Sequence, residues 1–115
     1  MQIVNNRESL SNKIREYRSR RNKITLIPTM GNLHQGHEAL FSKAPDNTIK
    51  VATIYVNPLQ FNNYDDYQNY PRSLEGDLEV CRVNNISLVY VPDGNLTDEI
   101  FIEKRIDLPK FTRYL

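Results

Sequence analysis

Net charge is nearly absent from this sequence, since 15 Lys and Arg residues stand against 14 Asp and Glu and leave a formal +1. So small a surplus excludes the general basic field with which nonspecific nucleic-acid binders neutralise phosphates, and equally an acidic tail or a polybasic membrane anchor. Cysteine is reduced to Cys81, which permits no internal disulfide and no cysteine-based zinc cluster. Long apolar runs are missing too: stretches such as residues 88–91 fall far short of the roughly 20 residues needed to span a bilayer. Met1-Gln2-Ile3-Val4 opens without a basic segment leading into an apolar one. These absences point to a cytoplasmic protein. What is present, 39% hydrophobic and 25% charged positions over 115 residues, is ordinary globular composition. A single domain over residues 1–115 is expected, able to bury roughly 65% of its unfolded surface. Function must sit in a local site.

Hydrophobic spacing supplies the architecture. Leu10, Ile14 and Tyr17 recur at helical spacing in a basic stretch, and Asn5 with Glu8 reads as a capping box that starts a first helix. Residues 23–29 (KITLIPT) and 51–56 (VATIYV) are β-branched and apolar and predict buried strands, the second stopped by Asn57-Pro58. From His37 the pattern Ala39, Leu40, Phe41 predicts a short helix that Pro45 ends. Residues 62–70 are polar, aromatic and aperiodic and read as loop. Ser73 suits the N-cap of a helix carrying Leu74, Leu78 and Cys81 on one face, closed by Asn84-Asn85 and followed by a strand over residues 86–91. Strands so uniformly apolar, alternating with helices, argue for a parallel α/β sheet. Ligands of such sheets sit outside the carboxyl ends of the strands, where residues 30–37 and 57–61 both fall. Beyond Pro92-Asp93-Gly94 only weak alternation around residues 100–106 is visible, so the sheet reads as unfinished.

The stretch with most chemistry is Pro28-Thr29-Met30-Gly31-Asn32-Leu33-His34-Gln35-Gly36-His37, between a strand end and a helix start. Gly31 and Gly36 let backbone approach a ligand, and the first turn of the helix offers amides and a dipole that favour an anion. His34 and His37 flank that point. Imidazolium groups beside a nucleotide can stabilise charge on phosphoryl oxygens, and either histidine can move a proton. The bare spacing also fits a surface pair or half a metal site, although no cysteine cluster or third histidine completes the latter, leaving carboxylates such as Glu38. A P-loop is excluded, because His37 and Glu38 stand where Lys and Ser or Thr are required, and no G-x-G-x-x-G is present.

This stretch resembles the H-x-G-H signature of nucleotide-binding proteins that transfer AMP. Its flanks narrow the resemblance: Pro-Thr-Met-Gly with Leu-His-x-Gly-His, then Val56-Asn57-Pro58-Leu59-Gln60-Phe61, then Tyr70-Pro71-Arg72-Ser73-Leu74 with Asp77-Leu78, look like successive motifs of the pantothenate synthetase, or pantoate-beta-alanine ligase, family. The resemblance implies a three-layer Rossmann-like parallel sheet of the HxGH nucleotide-binding type, incomplete at its C-terminus. It implies a two-step reaction with ATP and Mg2+, in which the pantoate carboxylate attacks the α-phosphorus and the amine of beta-alanine then displaces AMP. Pro28, Thr29, Met30, Gly31, His34, Gly36 and His37 would line the ATP site, with His37 as proton donor. Gln60 would hold pantoate and beta-alanine, with Asn57 and Phe61 shaping the pocket. No residue is assigned to a metal.

The family usually has Ala and Glu where Asn32 and Gln35 stand here, and Leu at Glu38, whose simplest role is capping the helix start. Its later lysine and serine/arginine motifs, second pantoate glutamine and C-terminal domain have no counterpart before Leu115, so this stretch alone is expected to turn over very slowly or not at all. Two further readings stand beside the ligase: another AMP-transferring enzyme of the superfamily, and a noncatalytic nucleotide-binding remnant. The cations Arg15, Arg18, Arg20, Arg21 and Lys23 read as a solvated helix face, not an RNA site. Tyr64, Tyr67 and Tyr70 read as loop packing, and a homodimer is compatible with an open sheet edge.

Overall fold

β-branched residues crowd the preceding turn of a helix and pack well on a pleated surface, so the runs rich in them extend. In the computed structural model, which describes residues 1–70 and 73–92, the elements follow in the order β1 (Gln2–Val4), α1 (Arg7–Ser19), β2 (Ile24–Thr29), α2 (Gln35–Ser42), β3 (Ile49–Ile54), a 3-10 turn (Pro58–Gln60), α3 (Tyr64–Asn69), α4 (Leu74–Val83) and β4 (Leu88–Tyr90). The strands form one sheet of order β1-β4-β3-β2 in which every neighbouring pair is parallel. This is the α/β class expected from the spacing.

Register follows burial. Ile27, Ala52, Ile54 and Val89 of the sheet join Phe41 of α2, Ala44, Cys81 of α4 and Ile86 in one buried cluster. Val51, Thr53, Leu88 and Tyr90, of the opposite parity, are buried as well. β3 and β4 are therefore covered on both faces, which is why their sequences carry no polar alternation. Ile49 N donates to Lys23 O at 2.8 Å and Tyr55 N to Thr29 O at 2.9 Å, so the odd-numbered residues of β2 turn their peptide groups to β3. Pro28 lies between them with its nitrogen on the outer margin, where the missing N–H costs no ladder bond.

Several local readings are corrected. The chain opens with β1, a strand whose short sequence gives no pattern of its own and which is defined by its pairing with β4. Asn6, not Asn5, caps α1, its Oδ1 accepting from Ser9 N at 2.8 Å. α2 begins at Gln35, ahead of His37, because His34 serves as its N-cap. Residues 62–70 contain α3, started by Asn63, whose Oδ1 accepts from Asp66 N at 2.8 Å, and anchored by buried Tyr67. On α4, Cys81 is fully buried and Leu78 packs against the core, whereas Leu74 stays 45% exposed. β3 and β4 are shifted or shorter than expected. Pro71, Arg72 and the alternation around residues 100–106 lie outside the described residues. Among the described residues no helix is long and apolar enough to cross a membrane.

Candidate functional site

At the carboxyl end of β2 the chain must leave the sheet and turn into α2 within a few residues. It does so through two successive residues of left-handed backbone, Gly31 with φ 77° and Asn32 with φ 53°. Below them Thr29, 1% exposed, donates its hydroxyl to Thr53 O at 2.9 Å and accepts from Gly31 N at 3.2 Å, tying the turn to β3. Above them Asp77, on the first turn of α4, accepts from Asn32 N at 3.0 Å and from Leu33 N at 2.8 Å. Gly31 is held between the two. A Cβ there would lie 2.8 Å from Asp77 Oδ2 and 3.3 Å from Ile54 Cγ2, so close approach and positive φ both demand glycine.

The two histidines then cap α2 reciprocally. His34 has extended backbone and its Nδ1 accepts from Gly36 N at 3.0 Å, while His37 Nδ1 accepts from His34 N at 3.3 Å. The rings meet edge to face with centroids 4.4 Å apart. An Nδ1 that accepts carries no proton, so this cap selects the tautomer with its hydrogen on Nε2. Each Nε2–H is then a donor beside the positive end of the helix dipole, an arrangement suited to phosphate oxygens. Gly36 makes room for this cap: a Cβ there would sit 2.9 Å from His34 Cε1. His37 is held below its ordinary value, first by burial and then by His34, with the charge of Asp77 acting against both. Glu38 does not cap the helix. Its Oε1 accepts from Asn84 Nδ2 at 3.2 Å, linking the start of α2 to the end of α4.

The second predicted segment follows β3. Asn57, 2% exposed, spends its Oδ1 on Leu59 N at 2.9 Å and thereby starts the 3-10 turn. Gln60 ends that turn on the surface. Phe61 meets Tyr67 and Tyr70 edge to face, at 5.7 and 5.6 Å between centroids. Between the strand ends and helices α3 and α4 lies a cavity of about 660 Å³. Its floor is Met30 and Gly31 after β2, Ile54, Tyr55 and Val56 at the end of β3, and Val91 and Pro92 after β4. One wall is Tyr64, Tyr67, Gln68 and Asn69 of α3, the other Leu74 and Asp77 of α4. Of the predicted residues, Met30 and Gly31 line this cavity directly. Pro28 and Thr29 lie beneath it in β2, the histidines and Gly36 stand at the neighbouring helix start, and Phe61 reaches it through Tyr67.

Asp77 and the α3 aromatics escape the sequence reading of the site. Asp77-Leu78 was legible as part of a motif, but nothing in its spacing announces a carboxylate that bonds backbone amides far away in the chain. Tyr55 also lines the cavity. Its hydroxyl is buried with no hydrogen-bond partner among the described residues, and burial pushes it up to about 12, reinforced by Tyr67 and Tyr90. Burial, with Asp77 adding to it, lifts the Cys81 thiol to about 11, which leaves it inert as a nucleophile. Among the described residues no group of three or more His, Cys, Asp or Glu side chains is placed to hold a metal ion.

Comparison with known proteins gives a consistent picture. The family described as Pantoate-beta-alanine ligase matches residues 2–114. A pantothenate synthetase from Aliivibrio fischeri is 39% identical over 92% of the chain and 38% of its own length. One from Ruminiclostridium cellulolyticum is 35% identical over the whole chain and 41% of its own length. Among solved structures, the pantoate-beta-alanine ligase from Francisella tularensis complexed with beta-gamma ATP and beta-alanine superposes with a TM-score of 0.73 at 35% identity, covering 90% of this chain and 38% of that one. Pantothenate synthetase from Thermus thermophilus gives 0.64 at 34% identity over 81% of this chain and 32% of that one. The chain thus spans about two fifths of the length of the curated relatives it matches.

Proposed function

From the chain's membership of the pantoate-beta-alanine ligase family, we propose that it forms the nucleotide-binding part of a cytoplasmic, ATP-dependent ligase that joins pantoate to beta-alanine and releases AMP and pyrophosphate. The pantoate carboxylate attacks the α-phosphorus, pyrophosphate leaves, and the amine of beta-alanine then attacks the acyl carbon of pantoyl adenylate, displacing AMP. The observation that carries this reading is the reciprocal histidine cap. His34 and His37 fix each other through Nδ1, leaving two Nε2–H donors beside a helix start, where charge on a triphosphate accumulates as pyrophosphate departs.

The remaining roles are those the family resemblance implies. Met30 and Gly31 form the floor on which the nucleotide rests, Pro28 and Thr29 hold that floor to the sheet, and Gly36 keeps the cap open. Gln60 offers an amide that can donate and accept without repelling the attacking carboxylate, with Asn57 shaping its turn and Phe61 its aromatic backing. Mg2+ would enter with the phosphates of the nucleotide and would neutralise part of their charge; among the described residues no cluster of acidic, histidine or cysteine side chains is placed to hold it.

A pyrophosphate-release assay on the intact protein, adding pantoate first and beta-alanine second, tests the reading. Release that requires pantoate, followed by AMP on addition of the amine, supports it. Release indifferent to pantoate would favour another AMP-transferring enzyme.

A further inference from the structure

Asp77 takes no part in the roles just assigned, yet it is 5% exposed and makes two backbone hydrogen bonds in the loop that carries them. Asn32 and Leu33 lie between a strand and a helix, in a turn whose left-handed backbone leaves their amides outside any ladder. Partly buried amides left outside a ladder still need an acceptor, and the buried Asp77 carboxylate supplies it. A carboxylate that receives two of them makes charge-assisted bonds, stronger than neutral ones and directional at both oxygens. The next residue along is His34, so the direction in which α2 starts is set where Asp77 grips. The fit leaves no slack, since a Cβ on Gly31 would come within 2.8 Å of Oδ2. Asp77 is also close enough for its charge to act on His37.

We propose that Asp77 is a positioning residue: from α4 its carboxylate clamps the amides of Asn32 and Leu33 and so aims His34 and His37 at the nucleotide. This rests on the nucleotide-binding reading above, and it concerns a residue that need not touch the nucleotide. The alternative is that Asp77 only stabilises the packing of α4.

Asp77→Asn on the full chain separates the two. The amide keeps one acceptor and turns an N–H toward a backbone N–H, so one clamp bond becomes a repulsion. The expected result is about a 10- to 100-fold loss of ATP affinity by isothermal titration in protein that still melts cooperatively. In the same variant the His37 Cε1–H titration, followed by NMR, moves to lower pH, because the anion that favours its cation has gone. Unchanged affinity and an unmoved His37 titration in folded Asp77→Asn would overturn the proposal. Gly31→Ala strains the same contact, so combining the two changes is expected to cost less than the sum of each alone; strict additivity would count against a shared clamp.

Two readouts need neither nucleotide nor a folded variant. In the wild-type chain the Asn32 and Leu33 amides should exchange slowly and shift as the Asp77 carboxyl titrates. Fast exchange, or amides indifferent to that titration, would overturn the clamp. Failure of the wild-type chain to bind ATP, with the amide results intact, would instead sink the proposed function and leave the clamp standing.

Discussion

Two imidazoles that cap a helix cannot at the same time be cations. Protonating Nδ1 of His37 removes the acceptor for His34 N and sets two donors against each other. Its lowered value expresses this environment, burial first and then His34. Between that value and 6.5 the unfolded chain holds the proton and the folded chain does not. Acid therefore favours unfolding: the stability is complete above the unfolded value and is lost as pH falls through the folded one. Thermal melts from about pH 8 down to about pH 5 should show the wild type losing more Tm than His37→Gln, in which this titration is absent. For catalysis, His37→Ala in the intact protein should lower the rate of pantoate-dependent pyrophosphate release by about 100- to 1000-fold, the usual consequence of deleting one donor to a developing anion. Gly36→Ala should act more gently. The added methyl displaces the His34 ring, costing about 1 kcal/mol of cap, visible as a lower Tm together with weaker ATP binding.

At the scale of elements, what could be read in advance depended on whether the cause was local. β2 and β3 were legible because their β-branched runs are apolar and their carboxyl halves are buried, so composition alone marks them. The glycine and histidine pattern after β2 was legible because close backbone approach and capping leave residue-type signatures. β1 was not, since its existence depends on pairing with a strand near the far end of the described chain. α3 was hidden by polarity: its stability comes from the Asn63 cap and from Tyr67, 6% exposed among the rings of Phe61 and Tyr64. Asp77 escaped for the same reason as β1, its partners lying on another element. This account of α3 predicts that Tyr67→Ala costs about 3 kcal/mol, near the lower end for removing a buried aromatic, and that urea unfolding reports it as a lowered midpoint with an unchanged slope. Phe41→Ala, in the cluster joining α2 to the sheet, should cost about 3 to 5 kcal/mol by the same measurement.

For the whole molecule, the chain is much shorter than its family relatives: it spans 38% of the Aliivibrio fischeri protein. Clamping a triphosphate from several sides is what accelerates adenylyl transfer. The 115-residue chain alone is therefore expected to bind ATP and to form AMP very slowly. Binding should raise its Tm, by an amount equivalent to about 2.7 kcal/mol when ATP is present at 100 times its Kd. A steady AMP-forming turnover by this chain without further sequence would contradict that expectation. A different consequence at this scale follows from Pro28. Among the described residues β2 is an outer strand of the sheet, and an incoming β-strand aligned on it would find no hydrogen to share near its carboxyl end, at Pro28, so sheet-to-sheet pairing is weakened on that flank. Copies that meet there would form a shorter ladder, through Ile24 and Leu26, and would depend more on side-chain contact.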